Sequence, residues 1–160
     1  MDLSRERIDA NVTENTAHRV EHPDLEAVTS QLAARKEVTA LYLFGSRAAG
    51  TAGPMSDTDL AVLLSEDVAA QDYFNVRLEL LAEVSAALGM DRVDLVVLND
   101  APLALRYRII STGKILFCKD EPRRIRFTAR AITLYLDFLP VEEEMRRGLA
   151  RRIREGKFGA

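Results

Sequence analysis

The sequence predicts an α/β fold: a small sheet flanked by helices, followed by a helical C-terminal extension. Three observations lead to this prediction. The chain has 160 residues, 48% of them hydrophobic, which is enough for one compact core. Short runs rich in branched and aromatic residues alternate with longer stretches of helical spacing. Strand-like runs stop near residue 120, so we divide the chain into an α/β domain at 1–120 and an extension at 121–160.

The elements of the α/β domain follow from local patterns. Residues 23–36 open with Pro23, a suitable first helical residue, and repeat apolar residues at helical spacing. Four short apolar runs bounded by turn formers predict strands. A long amphipathic stretch ending at Gly89 predicts a helix between the second and third strands, and a shorter helix precedes the fourth. The predicted strands are VTALYLFG, DLAVLLS, VDLVVLN and KILFC.

The sequence of the extension predicts two helical segments. Both follow Pro122, and Pro140 lies between them. Since proline lacks a backbone N–H and clashes with the preceding turn, we expect Pro140 to break or kink the run.

The composition of the chain bears on whether it binds nucleic acid. A net charge of -3, with 6% aromatic residues and no tryptophan, argues against general affinity for nucleic acid. The extension is nevertheless basic: residues 121–160 hold 10 Lys/Arg and 6 Asp/Glu, whereas 1–120 hold 12 and 19. A basic extension on an acidic body indicates either a docking surface or an ordinary solvated helix face.

The expected setting is cytoplasmic. The N-terminal residues contain no apolar signal region, and no 18 apolar residues run together, so we expect neither secretion nor a membrane span. The single cysteine, Cys118, lies in an apolar run and leaves no disulfide framework or thiolate metal site. A reducing compartment fits this pattern.

A pair of acids at the start of the second strand points to chemistry. Asp57 and Asp59 stand two residues apart, so in a strand their carboxylates share one face. Such close like charges are costly unless a cation holds them, and hard oxygen ligands suit Mg²⁺, which takes further ligands from phosphates. A nucleoside triphosphate would complete this site. The alternative is a simple turn in which Ser56 or Asp57 acts as a cap.

Two further features strengthen the first interpretation. Gly45 and Ser46 end the first strand, where glycine allows close approach of phosphate oxygens and the next hydroxyl and N–H groups can donate to them. Asp94 lies inside the apolar third strand, where an unpaired carboxylate is disfavoured. It is a third acid of the site or, alternatively, a strand-end residue facing water. Together these residues form a coherent constellation.

At this point the sequence resembles a known family. Gly45-Ser46, ten intervening residues, Asp57-Thr58-Asp59 and a later strand aspartate resemble the polymerase β-like nucleotidyltransferase superfamily. The short length and FGSRAAG...SDTDLAVLL are similar to its minimal members, some of which are MntA-type antitoxins paired with helical HEPN toxins. The resemblance covers roughly residues 25–118. It implies the mixed sheet of that fold in the 1–120 domain.

The resemblance also implies roles for the acids. Asp57 and Asp59 would ligate the metal, which would be Mg²⁺, with Mn²⁺ as a substitute. Asp94 would share one metal and help to deprotonate the attacking hydroxyl.

The phosphate side of the site follows in the same way. Gly45 and Ser46 would hold the β- and γ-phosphates of ATP, and Arg47 would add positive charge unless it is merely solvated. Such antitoxins often carry a second arginine before the last glycine of the turn, whereas Ala49 stands here.

Three functions are compatible with these residues. The first is transfer of AMP from ATP to a hydroxyl, expected on a tyrosine, of a cognate HEPN toxin, with which the chain would assemble. The second is a small-molecule nucleotidyltransferase of the aminoglycoside-modifying kind, which usually has a larger second domain. The third is a non-catalytic antitoxin that only binds the toxin. The intact set of acids favours the first.

Overall fold

A computed structural model describes residues 23–53, 56–89 and 92–156. Residues 1–22, for which the sequence carries no placeable motif, lie outside this part of the chain. Every helix and strand expected in the α/β domain is present, together with a five-residue helix after the first strand. In chain order the elements are α1 Pro23–Ala34, β1 Val38–Phe44, α2 Gly45–Ala49, β2 Thr58–Leu64, α3 Tyr73–Leu88, β3 Val93–Val97, α4 Leu103–Thr112, β4 Lys114–Cys118 and α5 Glu121–Arg154.

The four strands form one mixed sheet in the order β3-β2-β1-β4. β1 pairs antiparallel with β2 and β4. β2 and β3 pair parallel, so the chain must cross over between them, and α3 makes that crossover. The predicted mixed α/β architecture is confirmed. β3 and β4 are the edge strands of the described sheet, and the pairing of β2 with β3 positions the acids.

Helices cover both faces of the sheet. α1 and α3 pack on one face through buried residues that include Val28, Leu32 and Leu80. The other face packs against α4 and the start of α5, where Ile109 is buried and Phe127 partly buried. Because both faces are covered, every residue of β1 is buried.

Helix α5 runs without interruption from Glu121 to Arg154, so of the predicted break or kink at Pro140 the break is wrong and the kink stays a prediction. Asp120 caps the helix by accepting a hydrogen bond from the Arg123 N–H at 2.9 Å. Proline removes one N–H from the helical ladder, yet the turns on either side keep their own bonds. The carbonyl of Leu136, four residues earlier on an exposed part of the helix, can be hydrated instead.

The two halves of α5 differ in their surroundings. In the first half Arg123 donates to the Leu64 carbonyl at 2.5 Å, and Tyr135 stacks on Tyr107 of α4 with ring centroids 4.2 Å apart. The second half presents exposed apolar side chains, among them Met145 and Leu149. Because the first half of α5 packs on the α/β domain, the helix does not mark a boundary at residue 120, and the division of the chain there stays a prediction. None of the described helices has the length and hydropathy needed to cross a membrane.

Candidate active site

The parallel pairing of β2 and β3 brings two of the predicted acids side by side. Asp59 is the register partner of Asp94, so both side chains leave the same face of the sheet. Asp57 directly precedes β2. The two aspartates on the strands are 35 positions apart in sequence, and only the sheet makes them neighbours.

Gly45 fits tightly against Asp59. It follows β1, whose last residue, Phe44, is the register partner of Asp59. A Cβ added at Gly45 would lie 2.0 Å from Asp59 Oδ2, and the glycine has a φ of +68°. A side chain here would meet both a steric clash and a backbone conformation that other residues rarely adopt. Any other residue here would strain the backbone and displace the Asp59 carboxylate, whereas the bare backbone of Gly45 lies close against it.

The electrostatics show how crowded the carboxylates are. Burial raises the pKa of Asp59 above its ordinary value, and the charges of Asp94 and then Asp57 raise it further. Arg108 of α4 and Arg47 act in the opposite direction. A cation at this point would stabilise the charged carboxylate, and hard oxygen donors are the ligands that Mg²⁺ prefers. The donor set thus fits a divalent metal.

The three acids do not converge on one point in this structure. Within the described ranges, no group of three or more His, Cys, Asp or Glu side chains is arranged to hold a metal ion. Asp94 instead lies beside Arg77 of α3, with Arg77 Nη2 3.5 Å from Asp94 Oδ1, and its side chain is 56% exposed. The pairing of β2 with β3 fixes the backbone positions of Asp59 and Asp94, whereas the Asp94 side chain lies beside the guanidinium of Arg77.

The short helix α2 and its flanking loop carry the predicted phosphate residues. Ser46 is partly buried, and its carbonyl accepts a hydrogen bond from the Thr51 N–H at 3.0 Å, which closes the turn. Arg47 donates through Nη2 to the Ser56 carbonyl at 3.1 Å and through Nε to the Asp57 carbonyl at 3.3 Å. Arg47 therefore ties α2 to the loop that leads into the acids.

Sequence reasoning missed two arginines near the acids. Arg108 acts on the Asp59 carboxylate from α4, and Arg77 reaches Asp94 from α3. Both lie in amphipathic helices, where an arginine usually indicates a solvated face. No local pattern marks them, because only the packing of α3 and α4 on the sheet brings these two arginines to the acids.

Comparison with known proteins gives a consistent result. A family model described as polymerase beta, nucleotidyltransferase, matches residues 26–122. The chain is 36% identical over 96 residues to the protein adenylyltransferase MntA of Shewanella oneidensis. That match covers 59% of this chain and 64% of MntA, so the chain spans a little under two thirds of that relative's length.

Solved structures share the fold. A toxin–antitoxin complex with AMP-PNP contains a chain that is similar with a TM-score of 0.64 at 24% identity, covering 79% of this chain and 96% of the other. A complex of tri-AMPylated Shewanella oneidensis HEPN toxin with MNT antitoxin gives a TM-score of 0.58 at 22% identity, covering 78% and 98%. At such identities these likenesses establish a common fold.

Proposed function

Because this chain belongs to the polymerase β nucleotidyltransferase family, we propose that it is a protein adenylyltransferase that moves AMP from ATP to a hydroxyl of a cognate HEPN toxin and so acts as an antitoxin. The observation that carries the proposal is the register of Asp59 with Asp94, beside a glycine at which a side chain would displace the Asp59 carboxylate. The similarity to MntA, named a protein adenylyltransferase, and to the antitoxin of an AMPylated toxin supports it.

The acids take distinct roles in this proposal. Asp57 and Asp59 hold the metal, for which Mg²⁺ is the first choice and Mn²⁺ a substitute, because both accept carboxylate oxygens. The bound metal supplies charge neutralisation at the α-phosphate. Asp94 shares the metal and accepts the proton of the acceptor hydroxyl. Its exposure leaves room for an incoming hydroxyl group.

In this proposal the turn after β1 binds the triphosphate of ATP. The backbone of Gly45 and the N–H and hydroxyl groups of Ser46 bind the β- and γ-phosphates of ATP. Arg47 contributes positive charge while bracing the loop before Asp57 through the two carbonyl contacts. Correct placement of these groups supplies much of the rate, since phosphoryl transfer depends mainly on positioning and charge stabilisation.

The reaction is a substitution at phosphorus. The acceptor oxygen forms a bond to the α-phosphorus of ATP while the bond to the bridging oxygen breaks and pyrophosphate leaves. The hydroxyl proton passes to Asp94. The setting that we propose for this reaction is the reducing cytoplasm, where the partly buried Cys118 stays a free thiol.

Metal dependence tests the first step. Binding of ATP, measured by calorimetry, should require Mg²⁺ or Mn²⁺, because the carboxylates repel the phosphates without a cation between them. Equal affinity for ATP in EDTA would mean that no metal links the acids to the nucleotide.

The decisive experiment follows the product. With the cognate HEPN toxin, ATP and Mg²⁺, the toxin should gain about 329 Da per transferred group, the mass of AMP less water. Asp94→Asn should still bind the toxin but fail to modify it. Asp67→Asn makes the same change at the other end of β2, beyond its last residue, and should modify the toxin normally.

Two outcomes would support the alternatives. If Asp94→Asn neutralises the toxin as well as the unsubstituted chain does, at equal concentration and without modification, the chain acts by binding alone. If an aminoglycoside is modified and the toxin is untouched, the small-molecule activity is correct.

A further inference from the structure

A groove of about 330 Å³ lies at the edge of β3 that faces away from β2. One wall comes from the start of α3, the floor from β3, and the other wall from the start of α4. Asp94, the register partner of Asp59, lines the groove. Its lining residues include Tyr73, Phe74, Arg77, Asp94, Val96 and Leu105.

One side of the β3 backbone faces away from β2, although Leu95 and Val97 on it are buried. The Arg92 carbonyl accepts from the Thr58 N–H at 3.0 Å, and the Leu98 N–H donates to the Val62 carbonyl at 2.9 Å. The backbone N–H and C=O groups of successive residues in a strand point to opposite sides. The even-numbered residues of β3 therefore bond to β2, and the N–H and C=O groups of Val93, Leu95 and Val97 point away from it. β3 is therefore an edge onto which a further strand can pair.

The Arg77 side chain covers the middle of this edge of β3. Its Nε donates to the outward Leu95 carbonyl at 2.5 Å, while its Nη2 lies 3.5 Å from the Asp94 carboxylate. A charged side chain folded over an edge strand is a common protection against unwanted pairing. Here the same guanidinium links the strand edge to a proposed catalytic acid.

We propose that this groove seats an extended segment of the partner protein, which pairs with β3 and places a side-chain hydroxyl beside Asp94. The inference rests on the proposed function and names the acceptor's binding mode. Main-chain pairing supplies affinity in such strand addition, and pockets for alternate side chains supply specificity. The groove ends at the proposed base, so a strand lying in it delivers its hydroxyl to the α-phosphate without a second domain.

The walls fit a peptide better than a small polar molecule. Phe74 is 63% exposed at the rim of the groove, where an apolar or aromatic side chain of the segment can cover it. The incoming strand replaces Arg77 at the Leu95 carbonyl, which leaves the guanidinium free to pair with an acceptor group of the segment. Binding of the segment and displacement of Arg77 from the Leu95 carbonyl would therefore occur together.

Photocrosslinking tests the location directly. A benzoylphenylalanine placed at Phe74 should crosslink to purified toxin, at a peptide that contains the AMP-bearing residue or lies next to it in sequence. The matched control is Leu78, one turn further along α3, which is 46% exposed and does not line the groove. Little crosslinking is expected from Leu78. Equal crosslinking from both positions, or none from Phe74, would overturn the proposal.

Kinetics provide a second test. Phe74→Ala should raise the KM for the toxin at least about fivefold and leave ATP affinity unchanged, because it removes a contact to the acceptor only. Leu78→Ala should change neither value. A rise in KM for both variants, or for neither, counts against the groove.

The two proposals can fail separately. If the toxin is never modified but crosslinks from Phe74 at a segment bearing a hydroxyl residue, adenylyl transfer is wrong and the docking groove stands. If the toxin is modified and Phe74 neither crosslinks nor affects KM, the groove is wrong and the activity stands.

Discussion

The acid end of the sheet and the outer half of α5, residues 141–154, differ in how closely their residues are packed. At the acid end a single added carbon at Gly45 would strike Asp59. In the outer half a Cβ added at Gly148 meets nothing within 4 Å, and Val141, Met145 and Ile153 are exposed. In the first region the groups of the chain fit closely against one another, as the proposed transfer reaction would require. The second carries an apolar stripe at helical spacing, which suits contact with another protein.

The largest expected effect is at the acids. Asp57→Asn or Asp59→Asn should lower AMP transfer at least about a hundredfold, roughly 2.7 kcal/mol of transition-state stabilisation, because ligand charge is lost while shape is kept. The fold should survive, since removing one charge relieves the repulsion that raises the pKa of Asp59. Transfer assays and thermal melting without metal check both statements. Undiminished turnover would remove these residues from the site.

A matched pair of glycine substitutions sharpens the contrast. Gly45→Ala should reduce transfer by tens to about a hundredfold, because the new methyl group displaces the Asp59 carboxylate. Gly148→Ala should leave transfer unchanged and stabilise the chain by about 0.5–1 kcal/mol, as expected for alanine in an open helical position. Transfer rates and denaturant unfolding provide the readouts. Similar activity in the two variants would show that Gly45 is not part of a tightly fitted site.

Removing residues 141–160 tests the outer half itself. Toxin binding should weaken at least about tenfold, or 1.4 kcal/mol, whereas ATP binding should stay nearly constant because the acids lie elsewhere. A pull-down beside an ATP titration separates the two effects. Equal loss of both affinities would mean that this part of α5 supports the core.

The smallest effect concerns two ion pairs on the same helix. In the packed start of α5 the hydrogen bond from Arg124 lowers the pKa of Glu121 from 4.5 to about 2. The unfolded chain therefore binds the extra proton first as pH falls, so the stability from this pair is present above about pH 4.5 and is lost towards pH 2. Because Glu121 is 54% exposed, solvent screening limits its contribution to about 1 kcal/mol or less.

Glu143 offers the control. It pairs with Arg147 at 2.6 Å in the exposed outer half. Glu121→Gln should lower the unfolding free energy at pH 7 and lose that effect in acid, whereas Glu143→Gln should change it by less than about 0.5 kcal/mol. Urea unfolding at several pH values measures both. A larger loss at Glu143 would reverse the expected order of the two halves.

Much of this molecule was predictable from local sequence. The strands and helices follow from the period of apolar residues and from turn formers such as Gly89, because backbone geometry and burial impose those periods. The candidate residues could also be named, since a Gly-Ser turn and two acids two positions apart are patterns with a chemical reason. The continuity of α5 could not be predicted, because the local penalty of Pro140 does not reveal what the rest of a long helix contributes.

What the sequence determined by itself is the set of elements and the kind of chemistry; tertiary structure decided which groups meet. The tight fit of Gly45 on Asp59, the tie from Arg47 to the loop before the acids, and the Arg77 contacts at the edge of β3 depend on strand order and register. These groups are separated by 9 to 18 positions along the chain, beyond the reach of any helical or strand period. Their distances are fixed only when the whole sheet pairs and its helices pack, because packing energy is shared among many residues and is not encoded in any short stretch.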